Sequence, residues 1–165
     1  MSRLAILALR GLLVLLFAGA LLIQFGLLPL LGVDISHGDP DVARLRWPVV
    51  TLGIAGVLTV EVALVCIWKL LTMVRRDTVF SRAAFRYVDV IIGSAVAATL
   101  LAVVLSFVLA PGEAVPPGAV LLVVIAGVAT AGIALLVLVM RTLLAKAVHL
   151  DATASTLKAE LDEVI

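Results

Sequence analysis

The length of its apolar runs constrains this chain more than any other feature. Four can be drawn, at about residues 11–31, 48–73, 88–110 and 119–140. Each holds about 20 residues or more, and at ~1.5 Å of rise per residue that is enough to cross a hydrocarbon core of about 30 Å. Unbroken runs of this kind are the pattern of spanning helices and not of the alternating strands of a barrel. Composition agrees: 64% of the 165 residues are hydrophobic and 14% charged, whereas a soluble domain carries roughly 45 to 50% apolar and about 25% charged residues. No water-soluble fold has an interior large enough for that much apolar side chain. The expected architecture is all-α. It is a four-helix transmembrane bundle, up-down and antiparallel, over residues 1–140, with an amphipathic tail over residues 141–165.

Local markers sharpen the spans. Trp47 and Trp68 stand about 21 positions apart, or ~32 Å along a helix, so both indoles can rest at opposite headgroup interfaces. The first run has a secretory look, with Arg3 and Arg10 ahead of it and a small-x-small step at Ala18-Gly19-Ala20. Apolar residues continue past that step through LLIQFGLLPLLGV, and a cut there would strand an apolar start in water, so the run is expected to stay as a helix. Cys66 is the only cysteine, which excludes an intrachain disulfide or thiolate cluster and leaves a small buried hydrophobe. His37 and His149 fall in segments on opposite sides of the membrane and cannot share one metal.

Orientation follows from the basic residues. Of the 12 Lys and Arg, Arg3, Arg10, Lys69, Arg75, Arg76, Arg82, Arg86, Arg141, Lys146 and Lys158 lie on one side of the expected spans. Arg44 and Arg46 lie on the other, in a loop shared with Asp34, Asp39 and Asp41, and the last loop, PGEAVPPG, carries none. By the positive-inside rule both termini and the middle loop are expected in the cytoplasm. Pro and Gly in SHGDPD and PGEAVPPG supply the outer turns. Small residues mark where helices can approach closely: Gly53 and Gly56, Gly93 and Ala97, Gly127 and Ala131.

Glu61 is the one acid inside a span. It lies about 10 Å from Trp68 by helical rise, where an unpaired carboxylate would cost several kcal/mol, so it must be protonated, paired or facing water. Gln24, about 21 Å beyond Arg10 on the first helix, is expected to be a poor partner. Ser94 is closer in depth, and Lys69 and Arg10 reach part of the way. Two readings stand side by side: a proton or cation site, as in small exporters, and a structural carboxyl held by hydrogen bonds.

The richest surface features lie outside the spans. In VRRDTVFSRAAFRYVDV, Phe80, Phe85 and Tyr87 alternate with Arg82 and Arg86, and Ser81 can cap the helix that follows. This pattern suits either anchoring on anionic headgroups or docking of a partner. After Met140, the residues Leu143, Ala147, Leu150, Ala154, Leu157, Leu161 and Val164 follow alternating spacings of four and three, an a/d seam over about three heptads. Such a seam serves a second copy, another protein or the membrane surface; the bland alternative is a helical extension in water. No phosphate loop, HExxH, CxxC or triad pattern is present, and no enzyme, metal or cofactor is expected.

The middle segment and tail resemble a family of small bacterial four-helix membrane proteins of unknown function. The shared features are the four-span layout, the Phe-Ser step in VFSRAAFRYVDVIIG and the closing acidic segment LKAELDEVI. Ala83, Ala84 and Phe85 depart from the Asn and extra basic residues that often follow that step. Genes of the family often neighbour a small Cro-type helix-turn-helix regulator. The resemblance implies a protein of the bacterial plasma membrane that holds such a regulator, without itself touching nucleic acid. The functional expectation is therefore a membrane anchor or sensor that binds a cytoplasmic partner at Phe80, Arg82, Phe85, Arg86, Leu150, Leu157 and Leu161, with self-association open. The alternative is a small proton- or cation-coupled transporter using Glu61.

Overall fold

In the computed structural model, residues 3–36, 43–75, 82–110 and 115–164 are described. The first span is a composite. Helix α1 (Arg3–Leu22) runs into a wider turn, Ile23–Leu27, and continues as α2 (Leu28–Ser36). The other spans are single helices: α3 (Arg46–Arg75), α4 (Arg82–Leu109) and α5 (Pro117–Val164). All four are long and apolar enough to cross a membrane.

Each helix begins ahead of the apolar block that announced it, because helical geometry is not limited to the lipid-buried residues. Pro48 does not prevent α3 from starting at Arg46, since in the first turn its missing N–H has no helical partner to lose. Pro117 opens α5 for the same reason. Beyond Met140 no Gly or Pro intervenes, and α5 continues unbroken for 48 residues, about 72 Å of rod. The wide turn in the first span has an identifiable cause in Pro29. Its ring has no N–H for the Phe25 carbonyl and crowds it, and the backbone responds one turn earlier, where the Leu28 N–H donates to the Ile23 carbonyl.

Extensive contacts join chain neighbours: α1 and α2 lie on α3, α3 on α4, and α4 on α5. Antiparallel register is fixed by named pairs. Arg10 meets Thr72, a Cβ at Gly53 would come within 2.7 Å of Leu28, and Asp89 meets Arg141. Few side chains are buried; one small cluster joins Leu13, Leu64 and Leu71, with Ile6, Phe17 and Ile67 against it. Large apolar residues such as Phe25, Phe107 and Leu122 are 74%, 75% and 69% exposed. In water each such side chain forgoes about 1.5 to 3 kcal/mol of burial, whereas in lipid the tails are as apolar as the interior and nothing is lost.

Of the glycines singled out for close approach, two act that way. A Cβ on Gly127 would stand 3.0 Å from that of Ala102, and Gly53 meets Leu28. Gly56 and Gly93 have no neighbour within 4 Å of the same position.

Candidate functional site

Polar side chains inside the spans divide into two chemical kinds. Short hydroxyls serve themselves: Thr59 donates to the Gly56 carbonyl, Thr72 to Trp68 and Ser106 to Ala102, at 2.6, 2.9 and 2.8 Å. Ser94, expected near Glu61, is buried and donates to the Ile91 carbonyl at 2.8 Å. Each bond reaches back about one turn, the usual recourse of Ser and Thr in a helix without water. Between α4 and α5 the Thr99 and Thr130 hydroxyls also meet at 3.0 Å. Either donates to the other, and the one that does not can donate to its own helix, to Ala95 or Gly127.

Gln24 and Glu61 have no such recourse. Each is half-buried, and the Gln24 Oε1 and Glu61 Oε1 atoms are sealed by the chain without a hydrogen-bond partner. Arg10 and Ser94 do not reach Glu61. The Arg10 guanidinium lies 5.3 Å from the centre of the Trp68 ring and donates to the Thr72 hydroxyl at 3.5 Å, a clamp at the basic end of α1 and α3. Gln24, expected to be a poor partner, makes no hydrogen bond with Glu61. Leu28 packs on Gly53, so the register places Gln24 roughly 6 Å along the helix axis from the level of Glu61.

A groove of about 560 Å³ runs between α3, α4 and α5, with Thr59, Ser94 and Thr130 at its middle and Arg141 at its basic end. There Arg141 and Asp89 pair, Nε to Oδ1 at 2.5 Å and an Nη donating to Oδ2 at 3.0 Å. With side chains 36% and 49% exposed, this pair is worth about 0 to 1 kcal/mol.

Of the surface residues, Phe80 and Ser81 lie outside the described residues. Arg82 opens α4, Phe85 is half-buried and Arg86 exposed, while the adjacent Ala84 is only 1% exposed. On the tail, Leu143, Leu150 and Leu157 are 55%, 70% and 55% exposed; Leu161 lies on the helical backbone of α5. His149 sits on the same rod with Nδ1 3.3 Å from the Thr153 hydroxyl. Among the described residues, no three His, Cys, Asp or Glu side chains group as metal ligands.

Four long apolar helices with polar groups confined to seams and ends define a multi-pass α-helical membrane protein. The model of the DUF2975 family, described as a protein of unknown function, matches residues 30–165. That is well over half of the chain, and the chain belongs to this family. No curated protein and no solved structure matches it.

Proposed function

We propose that this protein is a non-enzymatic membrane anchor whose α5 rod docks a cytoplasmic protein. The observation that carries this reading is the exposed row of Leu143, Leu150 and Leu157 on the part of α5 beyond its apolar run. Each leucine left in water forfeits about 1.5 to 3 kcal/mol that a partner helix would recover. The bias of basic residues supports a plasma-membrane protein with both termini in the cytoplasm. The partner class that the resemblance implies is a small helix-turn-helix regulator, held at the membrane away from its promoter, with Arg86 and Phe85 beside the base of the rod. A deciding experiment is capture from native membranes with Leu150 and Leu157 both replaced by Glu. Membrane insertion stays as in wild type, because the spans end before these positions, and the partner is lost. Capture of the same proteins by the double variant would refute docking through this row.

A second reading, a small ion-coupled transporter, is supported by the unpartnered Glu61 oxygen inside a span. It requires proton-coupled uptake or efflux in proteoliposomes that Glu61→Gln abolishes.

A further inference from the structure

We infer that the groove between α3, α4 and α5 is a binding site for one acidic phospholipid, with an acyl chain laid along the groove and the phosphate held by Arg141. The inference is independent of docking by the outer part of α5, since it concerns the spans and their basic end.

The groove exists because α3 and α5 both pack on α4 without, among the described residues, an extensive contact with each other. Helix α4 is its floor and the two neighbours are its walls. Ile91 and Ser94 on the floor are each 9% exposed, whereas Val60, Ile133 and Met140 along the walls are 49%, 54% and 59% exposed. A recess closed below and open along its length to the bilayer is filled by what the bilayer supplies. Nothing in its middle asks for a polar ligand. The Thr59 and Ser94 hydroxyls donate to the Gly56 and Ile91 carbonyls of their own helices, and that of Thr130 is engaged by Gly127 and Thr99. Apolar walls of this kind hold hydrocarbon and not water.

Length and charge then select the ligand. On α5 the lining runs from Thr130 to Arg141 and one turn beyond, to Leu144. Thr130 and Arg141 stand about 11 positions or ~16 Å apart, close to half of a hydrocarbon core of about 30 Å. The groove is therefore as long as one leaflet is deep, with a cation at the headgroup level and an apolar inner end. Asp89 occupies the Nε edge of the Arg141 guanidinium, with one Nη donating as well. A guanidinium has several more N–H donors, so a phosphodiester oxygen can take the Nη edge that Asp89 leaves free. Asp89 thereby steadies Arg141 without neutralising this end. Lys69, Arg86 and Lys146, each one or two positions from the lining residues Leu70, Val88 and Leu144, are exposed. Together with Arg141 they outnumber Asp89, and that excess of positive charge favours an acidic headgroup over a zwitterionic one.

The test is native mass spectrometry on the full chain released from a neutral detergent, with phosphatidylglycerol, phosphatidylcholine and glycerol phosphate as probes. Wild type is expected to retain one phosphatidylglycerol, to prefer it about tenfold over phosphatidylcholine, and to ignore glycerol phosphate, which has the phosphate without the chain. Arg141→Gln is expected to hold phosphatidylglycerol about tenfold more weakly. Ala95→Phe, which fills the groove, is expected to lose both lipids. Helix content by circular dichroism should be unchanged in both variants; should Ala95→Phe lose helix, Arg141→Gln decides alone, since it breaks only a half-exposed pair. Equal retention of the two lipids by wild type overturns the inference, as does undiminished phosphatidylglycerol in Arg141→Gln or in a folded Ala95→Phe. Retention of glycerol phosphate by itself would also overturn it, making this a site for free phosphate.

Discussion

The seam of α4 with α5 and the seam of α1 with α3 solve the same problem in opposite ways. On the first, Thr99 and Thr130 clasp across the interface and Gly127 lets the backbones close to Ala102; the basic end is closed by Arg141 on Asp89. On the second, the basic end is closed by Arg10 over Trp68, but the middle holds the unsatisfied oxygens of Gln24 and Glu61. A hydroxyl can always fall back on a carbonyl of its own helix, so Thr and Ser serve as glue at little risk. A carboxyl or a primary amide carries more hydrogen-bonding capacity than its own helix can meet. The lesson is that in a chain this apolar, structure is held by residues that can satisfy themselves, and chemistry is to be sought where they cannot.

The sharpest way to break the contrast is to overfill the close seam. Gly127→Leu places a branched side chain where even a Cβ stands 3.0 Å from Ala102, and a loss of about 1 to 3 kcal/mol is expected. It should appear as a lower midpoint of thermal unfolding in detergent. Gly93→Leu, on the same helix pair but with open space at its Cβ, should stay within about 0.5 kcal/mol of wild type. Equal losses from both would mean that the close approach at Gly127 is not what joins α4 to α5.

Next in size is the hydroxyl clasp. A double-mutant cycle of Thr99→Val and Thr130→Val should give a coupling near 0.6 kcal/mol and no more than about 1.7. Zero coupling would show each hydroxyl bonded only to its own helix. Smaller still is Arg141→Ala, expected to cost about 1 kcal/mol or less at this half-exposed pair and to fade as salt is raised in the unfolding assay. Glu61→Gln should change the unfolding midpoint least, because the amide keeps the size of the side chain and can both donate and accept. A loss as large as that of Gly127→Leu would indicate a charged, tightly paired Glu61 and erase the difference between the seams.

The spans were legible because lipid leaves so little choice: a run such as VLLVVIAGVATAGIALLVLVM has one stable form in a bilayer. The a/d row after Met140 was legible for a related reason, since its period is carried by Leu, Ala and a closing Val164. The register between helices was not. That Arg10 meets both Trp68 and Thr72 depends on how a long side chain lies against the neighbouring helix. Nor did the sequence show which glycines are contacts, for Gly93 and Gly127 have similar surroundings in the chain and differ only in what packs opposite. The wide turn left a readable cause in Pro29, but a proline inside an apolar run is equally consistent with a kink or a break.

The continuity of α5 makes the protein a lever. A rod without a joint between its membrane half and its outer half converts rotation into displacement. About 24 residues past Met140 extend roughly 36 Å, so a change in tilt of only about 10° sweeps the tip through ~6 Å. That is more than the pitch of one helical turn. The tilt of the span, set by its packing on α4 and by its interfacial anchors, thereby fixes where the tip stands.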